Sequence, residues 1–445
     1  MKLQRKFRSL MLNVLFHRRT IRFQRWLAEV RRRIGGKNHV VSVFLQLDDP
    51  YSYILSYYLP SLAANYEIDL HLYLSQAKGD EYQPAPEMLA EYAVVDCARL
   101  ARELGIPFLD KGSLPPTEHR VALTNVVAAL HGTDDFDDEL RQALEVFWRG
   151  DSSAAASMSS GASDKGVAAS VINESNRLLD KLGHYNTATL HYAGEWFWGV
   201  DRLHYLLDRL DGLGVSRNDS PDPLLASIQP AMKISLPVKP PAAAKELPPI
   251  EFFHSFRSPY SFIALEQTFA IADAFGVDVI IRPVLPMVMR GLQVPKPKLI
   301  YIGMDAVREA NRRNVPFGKV ADPVGAGAER CLAVFRYAES EHREREFVLN
   351  AGRAIWAEAI DVATDQGMRK VTGRSGLFWP EAKAAMQNDD WREKTEGNRE
   401  AMMDAGSWGV PTIRMGDFIV WGQDRDWLLV RHIEELCDTG DGILV

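Results

Sequence analysis

The chain has 445 residues, about three times the ~150 that serve as a prior for one domain, so two domains with additions are expected. Apolar residues at 46% and charged residues at 25% exclude wholesale disorder, and no apolar run reaches the ~18 residues of a membrane-spanning helix. The net charge of −7 is unevenly spread. Residues 1–37 hold twelve Lys/Arg against Glu29 alone, leaving 40 Lys/Arg against 58 Asp/Glu, or −18, on the rest. An acidic body of this kind argues against nucleic acid as a partner. The apolar stretch 10–16 is short, ends in His17-Arg18-Arg19 and lacks a small-residue cleavage site, so no secretory signal is expected. Cys97, Cys331 and Cys437 form no C-x-x-C pair, and no His/Cys cluster has zinc-ligand spacing. A disulfide framework, local dithiol chemistry and a metal site are therefore not expected.

In chain order, residues 1–38 read as a basic amphipathic N-terminal helix, with Leu10, Val14, Ile21, Phe23, Trp26, Leu27 and Val30 between the cations and Gly35-Gly36 as its stop. It would anchor on anionic lipid, or pack on the acidic body or a protein partner. Residues 40–47 form a β-branched apolar run that predicts a buried strand. A helix from Pro50, a strand over 68–74 and a helix over 87–104 follow. Residues 120–148 read as helical, the Ser/Ala/Gly-rich stretch 151–166 as a loose loop, and 167–182 as helix. Strands at 187–192 and 195–198 and a helix over 201–210 complete the first half. Residues 214–249 contain eight prolines and no sustained period, which predicts a linker.

The same order then returns: strand 250–256, helix from Pro259, strand 277–283, a helical middle, two strands near 411–421 and a final helix. The repeat is visible residue by residue. Pro50, Tyr51, Ser52, Tyr92, Asp96, Arg99, Pro107 and Phe108 reappear 209 positions later, and Thr189, Trp198, Gly199, Asp201 and Arg202 reappear 223 positions later. The expected architecture is α/β: two tandem thioredoxin-like domains, each with an inserted helical subdomain, at 39–213 and 250–437, the second insertion spanning about 285–405.

Four pieces of the second half carry a resemblance: the run from Phe252 through Ser258-Pro259-Tyr260 to Ser261; Lys298-x-x-Tyr301-x-x-x-Asp305-x-x-Arg308; Gly409-Val410-Pro411-Thr412; and Trp421-Gly422-Gln423-Asp424-Arg425. In this order they resemble the 2-hydroxychromene-2-carboxylate isomerase and kappa-class glutathione transferase family, a DsbA-like branch of the thioredoxin superfamily. Ser255 departs from it, since aspartate is common there. The resemblance implies that glutathione is bound as cofactor or co-substrate. Ser258 would be catalytic, its hydroxyl on the glutathione sulfur where disulfide oxidoreductases carry a cysteine. Val410 would pair its backbone with the glutathione peptide, Pro411 would be cis, and Gln423 and Asp424 would hold the γ-glutamyl group.

The physics of these positions supports such a site and also plainer roles. Ser258-Pro259 reads as N-cap and first helical residue, where N–H groups and the helix dipole favour a thiolate. Ser258 and Asp424 could equally be caps alone, Pro411 an architectural cis-proline, and Trp421 core or cleft wall. Tyr301, Asp305 and Arg308 share one helix face and read best as an internal packing and ion-pair motif; His254 reads as a satisfied core histidine. Phe317, Phe335, Tyr337, Trp356, Phe378 and Trp379 would line a substrate pocket or form the core of the helical subdomain.

The first half looks like a damaged copy. Asp49 stands where Ser258 does, Ala188 for Pro411, Asn186 for Gly409, Val200 for Gln423 and Leu89 for Lys298. Aspartate still caps a helix but repels a thiolate, so residues 39–213 are expected to keep the fold and lose the site. The leading function is thus a glutathione-dependent isomerase or transferase acting on a small aromatic or unsaturated substrate through the C-terminal domain. The alternatives are a DsbA-like thiol–disulfide oxidoreductase family member lacking C-x-x-C, and a non-enzymatic thioredoxin-like binding protein. The expected location is the cytoplasm, with peripheral membrane contact if the arm meets lipid; the fused halves fit either a monomeric pseudo-dimer or a homodimer.

Overall fold

The computed structural model describes residues 2–79, 82–109, 115–159 and 165–439. The chain divides into two compact units, Gln24–Lys233 and a second made of Met1–Phe23 with Ile234–Val445.

The first unit is built on four strands, β1 (Val40–Leu45), β2 (Asp69–Leu74), β3 (Thr189–Tyr192) and β4 (Glu195–Trp198), in the order β2-β1-β3-β4. β1 pairs parallel with β2 and antiparallel with β3, and β3 pairs antiparallel with β4. Val41, Val43 and Leu45 lie wholly out of solvent beside Leu140, Leu144 and Trp148, as a β-branched strand covered on both faces should. In the second unit β5 (Ile250–His254), β6 (Val279–Pro283), β7 (Thr412–Met415) and β8 (Phe418–Trp421) are ordered β6-β5-β7-β8. The pairing senses are the same: β5 parallel to β6, β7 antiparallel to both of its neighbours. Every residue of β5 is buried. Six helices from Lys296–Arg312 to Trp391–Asp404 separate β6 from β7 among the described residues.

After β5 the helix Pro259–Phe275 begins at Ser258 and ends at Gly276, whose φ of 73° closes it in the left-handed conformation. Pro259 supplies the preset first residue, and eleven of the helix's residues are buried, so it packs on nearly all sides rather than along one stripe.

Three expectations need correction. The basic arm is two helices, α1 (Lys2–Leu15) and α2 (Arg18–Ile34), parted at Phe16-His17, because Phe16 turns inward and is buried. The stretch 151–166 is not all loop: Ser152–Ser159 is helical, as its alanines favour, while 160–164 lie outside the described residues. The proline-rich segment 214–249 contains a helix, Pro223–Ala231, capped by Asp222, which accepts from the Leu225 N–H at 3.0 Å. Its Asp-Pro pair starts a helix instead of breaking one, and buried Leu225 and Ile228 hold it in place.

Candidate functional site

Ser258 has the extended backbone of an N-cap (φ −93°, ψ 115°), and its Oγ accepts the Ser261 N–H at 3.1 Å. That bond leaves the hydroxyl proton free to point elsewhere, and it points to the carbonyl of Val410, 3.3 Å away. The helix cap and the link to the Val410 loop are therefore made by the same oxygen. The Val410–Pro411 bond is cis, and Val410 is half-buried against Phe253, Val284 and Met402.

The Pro411 carbonyl accepts the Gly422 N–H at 2.9 Å, which carries the path on to Gln423 and Asp424. Ser258, Val410, Pro411, Gln423 and Asp424 thus lie along one continuous bonded route across the end of the sheet. Gly409 is required on this route: a Cβ there would collide with the Trp421 ring. Trp421 meets Trp408 edge-on at 5.1 Å. Thr412 fixes the loop from below, donating its hydroxyl to the Gly409 carbonyl at 2.7 Å.

Gln423 is almost wholly buried, yet its Nε2 finds no acceptor among the described residues. A buried amide donor of that kind costs free energy until a partner arrives. Its backbone carbonyl is held by Arg313 Nη2 at 2.6 Å, and the same guanidinium pairs with Asp426. Asp426 opens the last helix, Asp426–Thr439, and accepts the Trp427 N–H at 3.0 Å. Asp424 therefore sits two residues ahead of that helix instead of at its first turn. Its carboxylate is about a quarter exposed, and its carbonyl accepts from Trp427 Nε1 at 3.1 Å.

Two further residues join the site. The half-buried Lys298 places its ammonium 5.2 Å from the centroid of the Trp408 ring. Burial pulls its pKa down to about 8. Lys298 was visible in the helix motif but had no role there; Arg313 had no sequence signal for this contact, since Gln423 and Asp426 lie more than 100 positions away. Arg257, immediately before Ser258, makes a forked pair with Asp322 at 2.8 and 3.1 Å.

Other positions resolve toward packing. Asp305 is fully buried, accepts the Tyr260 hydroxyl at 2.8 Å and pairs with Arg308 at 3.4 Å. His254 is buried with its ring edge-on to Phe256 at 4.8 Å. It is a core residue but not a satisfied one, since neither ring nitrogen has a partner among the described residues; burial pushes its pKa down to about 3. The six aromatics do not share one pocket. Phe335 and Trp356 are core, Phe317 stacks on Trp356 at 5.7 Å, and Phe378 is exposed. A cavity of about 260 Å³ between Phe262, Pro316, Leu349 and Arg353 has none of Ser258, Val410, Pro411, Gln423 and Asp424 in its lining.

At the matching place in the first unit, Asp49 accepts from Tyr51 N–H at 3.1 Å and from the hydroxyls of Ser52 at 2.8 Å and Thr187 at 3.1 Å. Burial still raises its pKa to about 6. Ala188 takes a φ of 53° in a trans chain, and Trp198 is over a third exposed.

Residues 249–434 match the model of the DSBA-like thioredoxin domain. The 2-hydroxychromene-2-carboxylate isomerase of Pseudomonas putida is 22% identical over 196 residues, 42% of this chain and 95% of that protein. Its namesake in Pseudomonas sp. (strain C18) is 23% identical over 192 residues, 40% of this chain and 87% of that one. A solved 2-hydroxychromene-2-carboxylate isomerase aligns at 24% identity over 43% of this chain and 96% of its own, with a TM-score of 0.37. The C-terminal part of this α/β chain is a DsbA-like thioredoxin domain with homologues among the 2-hydroxychromene-2-carboxylate isomerases.

Proposed function

We propose that the C-terminal domain is a glutathione-dependent isomerase or transferase for a small aromatic or unsaturated substrate, and that residues 39–213 are a tandem copy that has lost the site. The observation that carries this is Ser258: a hydroxyl at a helix N-terminus that accepts the Ser261 N–H and donates its proton to the Val410 carbonyl. The donors and acceptors present fit glutathione. The buried Gln423 amide lacks an acceptor, Asp424 offers a partly exposed carboxylate, and Lys298 a cation.

Bound glutathione would supply a thiol whose ionised form is the nucleophile. Ser258 would turn its proton from Val410 toward the sulfur and, with the helix N–H groups, lower the cost of negative charge there. Val410 would present its backbone to the peptide. Gln423 Nε2 and the Asp424 carboxylate would take the γ-glutamyl carboxylate and ammonium respectively. Lys298 would add positive potential beside the loop.

Thiol–disulfide exchange by the protein's own sulfurs fits poorly. Cys97 and Cys331 are buried, burial raises the Cys331 thiol pKa, and serine occupies the helix N-cap. Calorimetric titration of the full chain with glutathione tests the reading, beside Ser258→Asp, which copies the first half. Saturable binding at one site per chain, abolished by the substitution, is the expected result, followed by turnover of 2-hydroxychromene-2-carboxylate or a related unsaturated acid. Absence of glutathione binding by the unaltered chain would overturn it.

A further inference from the structure

The helix α2 holds two sets of cations with different surroundings. Arg25 is committed to Glu195 by a forked pair at 2.9 and 2.6 Å. Arg32 is likewise bound to Glu29 at 2.9 and 2.7 Å. Arg19 and Arg22 lie on another side, and both are exposed. Their neighbours at helical spacing are Phe23, Trp26 and, two turns on, Arg33. Positions 19, 22, 23, 26 and 33 form one stripe along a 3.6-residue helix. Phe23 is 57% and Trp26 58% exposed, and Ile34 beside them is 82% exposed.

Two large aromatics and arginines interleaved on one solvent-facing stripe differ from an ordinary charged surface, which keeps large apolar groups scattered. The charge balance narrows the occupant. Glu29 is the one carboxylate in residues 1–37, and it faces Arg32 and Arg33. The chain beyond residue 37 carries −18, so an anionic surface would repel the body and attract the arm that bears this stripe.

From this we infer that the solvent face of α2, centred on Arg19, Arg22, Phe23 and Trp26, is a docking surface for an anionic lipid bilayer. The helix lies in the plane of the headgroups, its aromatics in the interface and its guanidiniums on the lipid phosphates. Neither the apolar nor the cationic component suffices alone, as two-signal anchoring requires.

Flotation of the full chain with vesicles tests this. One set is phosphatidylcholine alone and the other phosphatidylcholine mixed with phosphatidylglycerol. The chain is expected to float with the mixed vesicles, to stay in solution with the neutral ones, and to be released by raised salt. The pair Phe23→Ser/Trp26→Ser should lower partitioning about tenfold or more. The pair Arg19→Gln/Arg22→Gln should lower it roughly twentyfold. Circular dichroism of both variants should match the parent, because the four side chains face solvent. Failure of the chain to float with anionic vesicles overturns the inference, as does equal flotation with neutral ones. Variants that float like the parent overturn it too, by moving the contact elsewhere. A gel shift with duplex DNA in place of flotation would assign the stripe to nucleic acid and also overturn it.

Discussion

The Tyr260 hydroxyl donates to Asp305 at 2.8 Å, and in the first unit Tyr51 donates to Asp96 at the same distance. Both bonds tie the helix after the first strand of a sheet to the first long helix beyond the second strand. Both carboxylates are buried, so each bond satisfies a group that would otherwise be costly. In the second unit Asp305→Ala removes the acceptor and strands Arg308 beside it, for an expected loss of about 3 kcal/mol. Tyr260→Phe should cost less, about 1–2 kcal/mol, since Arg308 remains to pair with the carboxylate. Denaturant unfolding of the two variants checks the order; equal losses would show that the ion pair contributes nothing.

These paired tyrosines and aspartates are where the sequence spoke most clearly. An offset of 209 that preserves Tyr51 and Asp96 marks residues that make the same buried contact in both units. The loop 409–411 was equally readable, because a glycine two residues before a proline carries its backbone demands in its identity. The clamp of Arg313 on Asp426 and on the Gln423 carbonyl was not readable. An arginine at the end of a helix looks the same whether it faces water or a loop 110 residues away. The division of the arm into α1 and α2 was hidden for a related reason. Phe16 belongs to a continuous amphipathic pattern, and only the burial site that receives it explains the break.

His254 gives a prediction in pH. Burial lowers its pKa to about 3, while the unfolded value is about 6.5. A histidine held neutral in the fold contributes no pH dependence above the unfolded pKa. Below it the unfolded chain takes up a proton that the folded chain refuses, so stability falls as pH drops from about 6.5 toward 3. The full window corresponds to roughly 4–5 kcal/mol. His254→Phe, flanked by Phe252 and Phe256, should abolish this dependence and raise stability, because two unpartnered ring nitrogens leave the core. Urea midpoints across that pH range measure it; an unchanged acid slope in the variant would place the acid-sensitive group elsewhere.

Lys298 gives a second pH prediction, resting on the proposed glutathione site. Its pKa, lowered to about 8 by burial, means that the ammonium beside Trp408 loses its charge just above neutrality. Affinity for glutathione should therefore weaken as pH rises through about 8. Lys298→Met keeps the stem that packs on Trp408 and should bind more weakly at neutral pH, with that part of the pH dependence gone. Calorimetry of parent and variant at several pH values separates the effect from ionisation of glutathione itself, which both share.

The last prediction joins the arm to the domain that receives it. Phe16 is buried, and its ring lies so close to Gly303 that a Cβ there would stand 2.5 Å from Phe16 Cζ. Behind it Phe317 lies at 6.3 Å, and Asn13 Oδ1 accepts the Val320 N–H at 2.6 Å. Phe16→Ala removes a ring from this packed position and should cost about 3–4 kcal/mol. Gly303→Ala alone overpacks it and should cost about 1–3 kcal/mol, despite the better helix propensity of alanine. In the Phe16→Ala background the same methyl enters vacated space, so its cost should vanish or turn into a gain of up to about 1 kcal/mol. A double-mutant cycle measured by denaturant unfolding isolates the coupling from each single effect. Strictly additive losses would mean that Phe16 leaves Gly303 in solution.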